Sequence, residues 1–262
     1  MNTLPFYQVD AFASELFKGN PAAVIILDHW LDDLILQRIG AENNLSETAF
    51  LVKADGHYEL RWFTPVVEVA LCGHATLASA HILFKYFETE AVRLEFETRH
   101  SGSLFVERDG SRLVLDFPAD KIKPIDLPSS FIEAMGEKPR EIYQGRSDYM
   151  LVYESQRQIE ELTPDFYKLK SFESRGIIAT ATGDDVDFIS RFFAPAIDID
   201  EDPVTGSAHT TMAPYWAERL NKSELSARQV SARGGELSCR VKGDRVHIGG
   251  DAVIYLEGKV NL

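Results

Sequence analysis

The sequence predicts an α+β fold built as two pseudo-symmetric lobes, each a mostly antiparallel curled sheet around one central helix. Three observations carry this. RWFTPVVEVALCGHATLASA at 61–80 and SRFFAPAIDIDEDPVTGSAHTTMA at 190–213 share a pattern: Arg-aromatic-Phe-x-Pro, an acidic loop, then a Gly-polar-Ala turn opening a helical stretch. The register persists. The offset 191 − 61 = 130 relates Arg61, Phe63 and Pro65 to Arg191, Phe193 and Pro195, and 206 − 73 = 133 relates Gly73, Gly102, Leu104, Gly110 and Arg112 to Gly206, Gly235, Leu237, Gly243 and Arg245. Finally, runs of strand pattern dominate, with one long helix per half between them, which suits a mixed sheet wrapped around a helix rather than a doubly wound parallel sheet. Two such lobes are expected to face one another, with the ligand in the cleft between them.

In chain order, LPFYQVDA at 4–11 and PAAVIIL at 21–27 read as strands joined by an FKGNP turn, and Asn20-Pro21 reads as part of that turn, the alternative being a loop fixed near a ligand. Leu31, Leu34, Ile35 and Ile39 recur at helical spacing, with Asp32 and Asp33 in the first turn and Gly40 near the end, so a helix is expected over 31–40. Strands follow at 46–52 and 57–63, a helix over 74–87, and strands at 92–97, 103–108 and 112–117, with hairpin signals at Ser101-Gly102 and Asp109-Gly110. Residues 134–145, preceded by Pro118, Pro124 and Pro128, read as the crossing between lobes. The second lobe then has strands near 149–153, a helix near 156–168, strands at 176–181 and 187–194, a helix at 206–220, and strands at 227–232, 236–242, 245–249 and 252–260. Domain bounds of 1–118 and 119–262 follow, with the last C-terminal residues a candidate addition to the first lobe.

Composition narrows the function. The chain has 262 residues, 45% hydrophobic and 26% charged, with 27 Lys+Arg against 41 Asp+Glu and a net charge of −14. This speaks against nucleic acid or an anionic membrane as main partner. No apolar run reaches the ~20 residues of a membrane span, and MNTLPFYQVDAF lacks a signal-peptide layout, so the expected location is cytoplasmic. Cys72 and Cys239 give neither a disulfide framework nor a metal-ligand spacing, and no cofactor is expected.

Glu47 is the most informative single residue. Alternation puts it on one strand face with Leu45, Ala49 and Leu51, while its repeat-mate 47 + 130 is Ile177, so a carboxylate stands in an apolar row. Burial there would raise its pKa towards the range useful for a general acid/base. The alternative is an edge-strand Glu facing solvent or paired with an arginine. Gly73-His74-Ala75 and Gly206-Ser207-Ala208 open the two central helices, where free amides and the helix dipole attract anions and Gly permits close approach. Ser207 as a plain N-cap and His74 as a polar first-turn residue are the structural alternatives. Asp202, in the acidic loop feeding Gly206, pairs plausibly with His74, and a carboxylate-oriented histidine moves protons near neutral pH. His209 is expected to pack or cap locally, and His57 and His81 carry no pattern.

With FKGNPAAV, NLSETAF, LCGHATLA and DEDPVTGSAH in this order, nearly the whole chain resembles the PhzF family of phenazine-biosynthesis isomerases and their relatives, which share the diaminopimelate epimerase fold. The resemblance implies Glu47 as the catalytic glutamate, with His74, Asp202 and Ser207 in the site, and a homodimer. The related epimerases and proline racemases use two opposed cysteines, one before each helix-opening glycine. Here Cys72 precedes Gly73 but Thr205 precedes Gly206, and a threonine hydroxyl is no base near neutral pH. The reading is a cofactor-independent isomerase of a small carboxylate metabolite, with Glu47 as acid/base, His74, Asp202 and Ser207 assisting, and Gly73, Ala75, Gly206 and Ala208 binding the anion. A racemase using Cys72 with another base, and a non-catalytic metabolite-binding protein, are the alternatives.

Overall fold

The computed structural model describes residues 3–262, and the chain divides into two compact units: Met1–Asp116 with Gly249–Leu262, and Phe117–Ile248. The first unit carries β1 (Thr3–Ala11), β2 (Asn20–Leu27), α1 (Asp33–Asn43), β3 (Glu47–Lys53), β4 (Tyr58–Phe63), β5 (Glu68–Val69), α2 (Gly73–Tyr86), β6 (Arg93–Thr98), β7 (Gly102–Asp109) and β8 (Arg112–Pro118). The second carries β9 (Lys123–Pro124), α3 (Ser129–Met135), β10 (Glu141–Gln144), β11 (Asp148–Val152), α4 (Gln156–Glu161), α5 (Phe166–Leu169), β12 (Gly176–Thr182), β13 (Phe188–Ala194), a 3₁₀ turn at Pro195–Ile197, β14 (Ile199–Asp202), α6 (Gly206–Leu220), β15 (Glu224–Gln229), β16 (Gly235–Lys242) and β17 (Arg245–Gly250). The last strand, β18 (Ala252–Asn261), returns to the first unit and runs antiparallel to β1.

In the first unit, β2 and β3 are parallel across α1, β4 and β6 are parallel across α2, and the remaining described pairs are antiparallel. The second unit repeats the scheme, with β11 parallel to β12 and β13 parallel to β15 across α6. Each parallel pair needs a helical crossover, which is why the sheets are mixed.

α2 is buried almost all round, and it packs against β1, β2, β3 and β18. Its sequence permits this because its polar groups are answered locally: the hydroxyls of Thr76 and Ser79 donate to the carbonyls of Cys72 and Ala75 at 2.6 and 2.7 Å. α6 contains Pro214, which has no N–H to give Thr210 O; that carbonyl instead accepts from Asp120 N at 3.0 Å. The first unit's core includes Phe50, Phe63, Ile25 and Leu36, the second's Phe131, Ile177, Ile189 and Phe193. Among the described residues no helix is long and apolar enough to cross a membrane.

Several elements differ from expectation. α1 is displaced toward its C-terminus because Asp32 caps it, accepting from Leu34 N at 2.9 Å, and Asn44 ends it in the left-handed region at φ 49°. Gly40 lies inside that helix, where an added Cβ would sit 3.2 Å from Phe63 Cβ and Thr64 O, so this glycine serves close packing, not termination. The expected helix 156–168 is two short ones, since Thr163-Pro164 interrupts it and Ser155 and Asp165 each cap a fresh start. Residues 134–145 lie inside the second unit and contain the end of α3 and β10. β15 ends at Gln229, short of the expected 232, where the chain bends at 231–233.

Candidate functional site

In the first unit the chain brings Asn20, Glu47, Cys72 and His74 together from β2, β3 and the turn into α2. Glu47 Oε2 lies 2.9 Å from His74 Nε2, with side-chain exposures of 13% and 6%. The contact is an ion pair by distance, but it lacks hydrogen-bond alignment, and Oε2 has no other hydrogen-bond partner. The two-faced alternation expected of β3 is absent: Thr48, Ala49, Phe50 and Leu51 are all buried, so both faces of the strand are covered. Glu47 opens that strand beside Ala22 of the parallel β2, near the end where Asn20 begins it.

His74 is buried, which by itself disfavours its charged form, yet the adjoining Cys72 sulphur and Glu47 carboxylate outweigh burial and hold its pKa well above the usual histidine value. The Glu47 carboxylate is the cause that counts here, because Cys72 is a thiol at neutral pH: burial, reinforced by the Glu47 charge and opposed by His74, pushes it up to about 11. Its Sγ stands 3.5 Å from His74 Nδ1. On the same nitrogen, Asn20 Nδ2 approaches to 3.2 Å, and Asn20 is wholly buried. The ligand-type atoms of Glu47, Cys72 and His74 lie within 4.8 Å of one another, so the carboxylate, thiol and imidazole form one compact acid–base cluster.

In the second unit, Thr205 Oγ1 donates to the Asp202 carboxylate, and Gln229 ties this loop down by donating to Asp202 O at 2.7 Å and accepting from Thr205 N at 2.8 Å. Ser207 is not the N-cap of α6; that place is held by Thr205, whose side chain makes no capping bond. Cys72, at the N-cap of α2, makes none either, so neither long helix has its first-turn amides answered by an N-cap side chain, in contrast to α1, α4 and α5. Ser207 Oγ accepts from Arg175 Nη2 at 3.3 Å, while Arg175 also forks onto the buried Asp148. His209 is wholly buried, donates Nδ1–H to Thr205 O at 2.9 Å and tilts over Phe188. Burial pushes its pKa down to about 4, against the hydrogen bond to Thr205, so at neutral pH it is an uncharged packing residue, as its sequence position suggested.

Sequence reasoning missed Asn20 as a partner of His74, and Arg175, Asp148 and Gln229 altogether. Asn20 offered a signal, a polar residue between a glycine and the apolar strand that follows Pro21; the other three join residues far apart in sequence and had none.

Residues 9–258 match the sequence profile of the family described as phenazine biosynthesis-like protein, PhzC-PhzF. The chain belongs to this family. It is 51% identical over 259 residues to an uncharacterised isomerase of Pseudomonas aeruginosa, covering 99% of each chain. A crystal structure of a phenazine biosynthesis protein of the PhzF family from Enterococcus faecalis superimposes with a TM-score of 0.96 at 48% identity over the whole of both chains. A probable proline racemase from Agrobacterium radiobacter, 11% identical, aligns with a TM-score of 0.68 over 99% of this chain and 93% of its own, which shows the shared epimerase-like fold. Family and relatives together support an isomerase or epimerase activity.

Proposed function

We propose that the protein is a cofactor-independent isomerase that moves a proton on a small carboxylate, with Glu47 as the single general acid/base. One observation carries the reading: a nearly buried carboxylate stands 2.9 Å from a buried imidazole that is biased toward its charged form. Such a carboxylate takes a proton from one carbon of a bound substrate and returns it to another, while the neighbouring imidazolium steadies the carboxylate between steps. Atoms balance without any redox partner.

On this reading the first-turn amides at Gly73 and Ala75, and that at Gly206, hold carboxylate oxygens, since neither helix start spends them on an N-cap side chain. Ala208 N–H already donates to Thr205 O at 3.2 Å, so Ala208 contributes only its small side chain. Asp202 and Ser207 assist proton movement and orientation. A two-thiol racemisation is disfavoured, because Cys72 is a buried thiol pushed up to about 11 and Thr205 occupies the second cysteine's position. The deciding experiment incubates the protein with carboxylate metabolites in D₂O and follows solvent-derived deuterium by NMR. Deuterium appearing at one carbon of a product that differs from its substrate in double-bond position supports the proposal. Deuterium appearing only with inversion at a stereocentre, and abolished by a thiol reagent, points to the racemase instead.

A further inference from the structure

We propose that Asn20 is the positioning residue of His74: its amide fixes which ring nitrogen carries the proton and so places that proton on Nε2, the nitrogen beside Glu47. The inference deepens the functional reading above and rests on it only for its consequence in catalysis.

The chain invests in placing this amide. Gly19 has φ +66°, and a Cβ there would fall 2.2 Å from Ala11 O, so only glycine lets the β1–β2 turn close. Phe17, also at positive φ, donates its backbone N–H to the Asp10 carboxylate at 3.0 Å, which pins the same turn. Asn20 then pairs with Ala11 as the first residue of β2, and Pro21 follows. The result is a wholly buried polar side chain whose Nδ2 lies 3.2 Å from His74 Nδ1, fifty-four residues away. An amide buried in an otherwise apolar strand is costly unless it answers another polar group.

The chemistry of the contact is specific. With Nδ2 donating, Nδ1 must present its lone pair, so the proton of the neutral ring sits on Nε2, the nitrogen 2.9 Å from Glu47. When the ring takes a second proton, the amide turns over and Oδ1 accepts from Nδ1–H. A primary amide can serve both the Nε2–H neutral ring and the cation, whereas a carboxylate, which only accepts, would hold Nδ1–H in either form and an aliphatic side chain would hold neither. The titratable groups facing the ring are Glu47 from β3 and Cys72 from the turn into α2, and Cys72 Sγ, 3.5 Å from Nδ1, is the competitor for that nitrogen.

The test is ¹⁵N NMR of the imidazole of His74 in the full-length protein, for wild type, Asn20→Leu and Asn20→Asp, read across a pH titration with no ligand added. Wild type is expected to show a pyridine-type Nδ1 and a protonated Nε2 once the ring is neutral. Asn20→Leu should mix the tautomers, while Asn20→Asp should move the proton to Nδ1 and raise the titration midpoint; circular dichroism establishes that each variant is folded. If Asn20→Asp does not fold, Asn20→Leu alone decides. An unchanged tautomer in folded Asn20→Leu overturns the proposal. Because the readout needs no substrate, it stands apart from the isomerase reading: failure of Glu47→Gln to stop proton exchange would remove that reading and leave this result untouched. Where exchange is found, Asn20→Leu should lower kcat by about tenfold or more with a smaller change in KM.

Discussion

Arg61 grips Glu68 through two parallel bonds, Nε to Oε1 at 2.7 Å and Nη2 to Oε2 at 2.8 Å, seven residues along the chain. The second unit repeats the grip between Arg191 and Glu201 at 2.7 and 2.8 Å, ten residues along. Each guanidinium also lies over the phenylalanine two residues on, Phe63 at 5.1 Å and Phe193 at 4.9 Å. The three extra residues therefore fall between arginine and glutamate, where the second unit forms its 3₁₀ turn. From glutamate to helix-opening glycine the spacing is the same, 73 − 68 = 5 and 206 − 201 = 5. Each fork ties a sheet strand to the loop that, five residues after its glutamate, enters the central helix carrying His74 or Ser207.

Breaking a fork leaves a charge that is mostly buried without its partner. The side chains are 7% and 19% exposed in the first unit and 13% and 21% in the second. Glu201→Ala is expected to cost about 3 kcal/mol, measured as a lower urea midpoint, and Arg191→Met combined with Glu201→Leu should recover much of it.

Glu47→Gln should lower proton exchange by at least about a hundredfold while circular dichroism and the melting temperature stay near wild type, because the amide keeps the shape but accepts no proton. The same variant should lower the titration midpoint of His74. His74 has its pKa raised in the folded protein, so its ion pair with Glu47 contributes stability that is fully present below the ordinary histidine value near 6.5, and that is lost as pH climbs through the raised value. In Glu47→Gln this loss on the alkaline side should shrink.

His209 works in the opposite direction. Held neutral down to about 4 in the folded state, against about 6.5 when unfolded, it contributes stability present above 6.5 that is lost as pH falls towards 4. The whole effect is at most about 3 kcal/mol. His209→Gln, which retains a donor for Thr205 O, should flatten this part of the stability curve; an unchanged slope would show that another group causes it.

Cys72→Ser should keep most of the activity, and the native protein should react slowly with a disulfide reagent until unfolded, since the thiol is buried and pushed up to about 11. A serine variant as inactive as Glu47→Gln would bring the thiol racemase back.

The sequence by itself determined the duplication, the two central helices and the residues at their starts, because these rest on local signals: strand alternation, the Gly-polar-Ala turns, and one offset of 133 carried from Gly73 to Arg112. It also identified Glu47 as a carboxylate out of place among apolar residues. Only the tertiary structure decided which groups meet. β3 is covered on both faces, so alternation could not say where Glu47 points; its position beside His74 comes from the parallel pairing of β2 with β3 and from α2 packed against them. The carboxylate beside His74 is Glu47, twenty-seven residues earlier (74 − 47 = 27), and the amide beside it comes from Asn20, farther still. Arg175 reaches Ser207 across thirty-two residues and is itself held by Asp148. A strand or helix is written in residues a few positions apart, whereas an ion pair or a tautomer is set by whichever side chain folding brings within about 3 Å, and no local pattern records that.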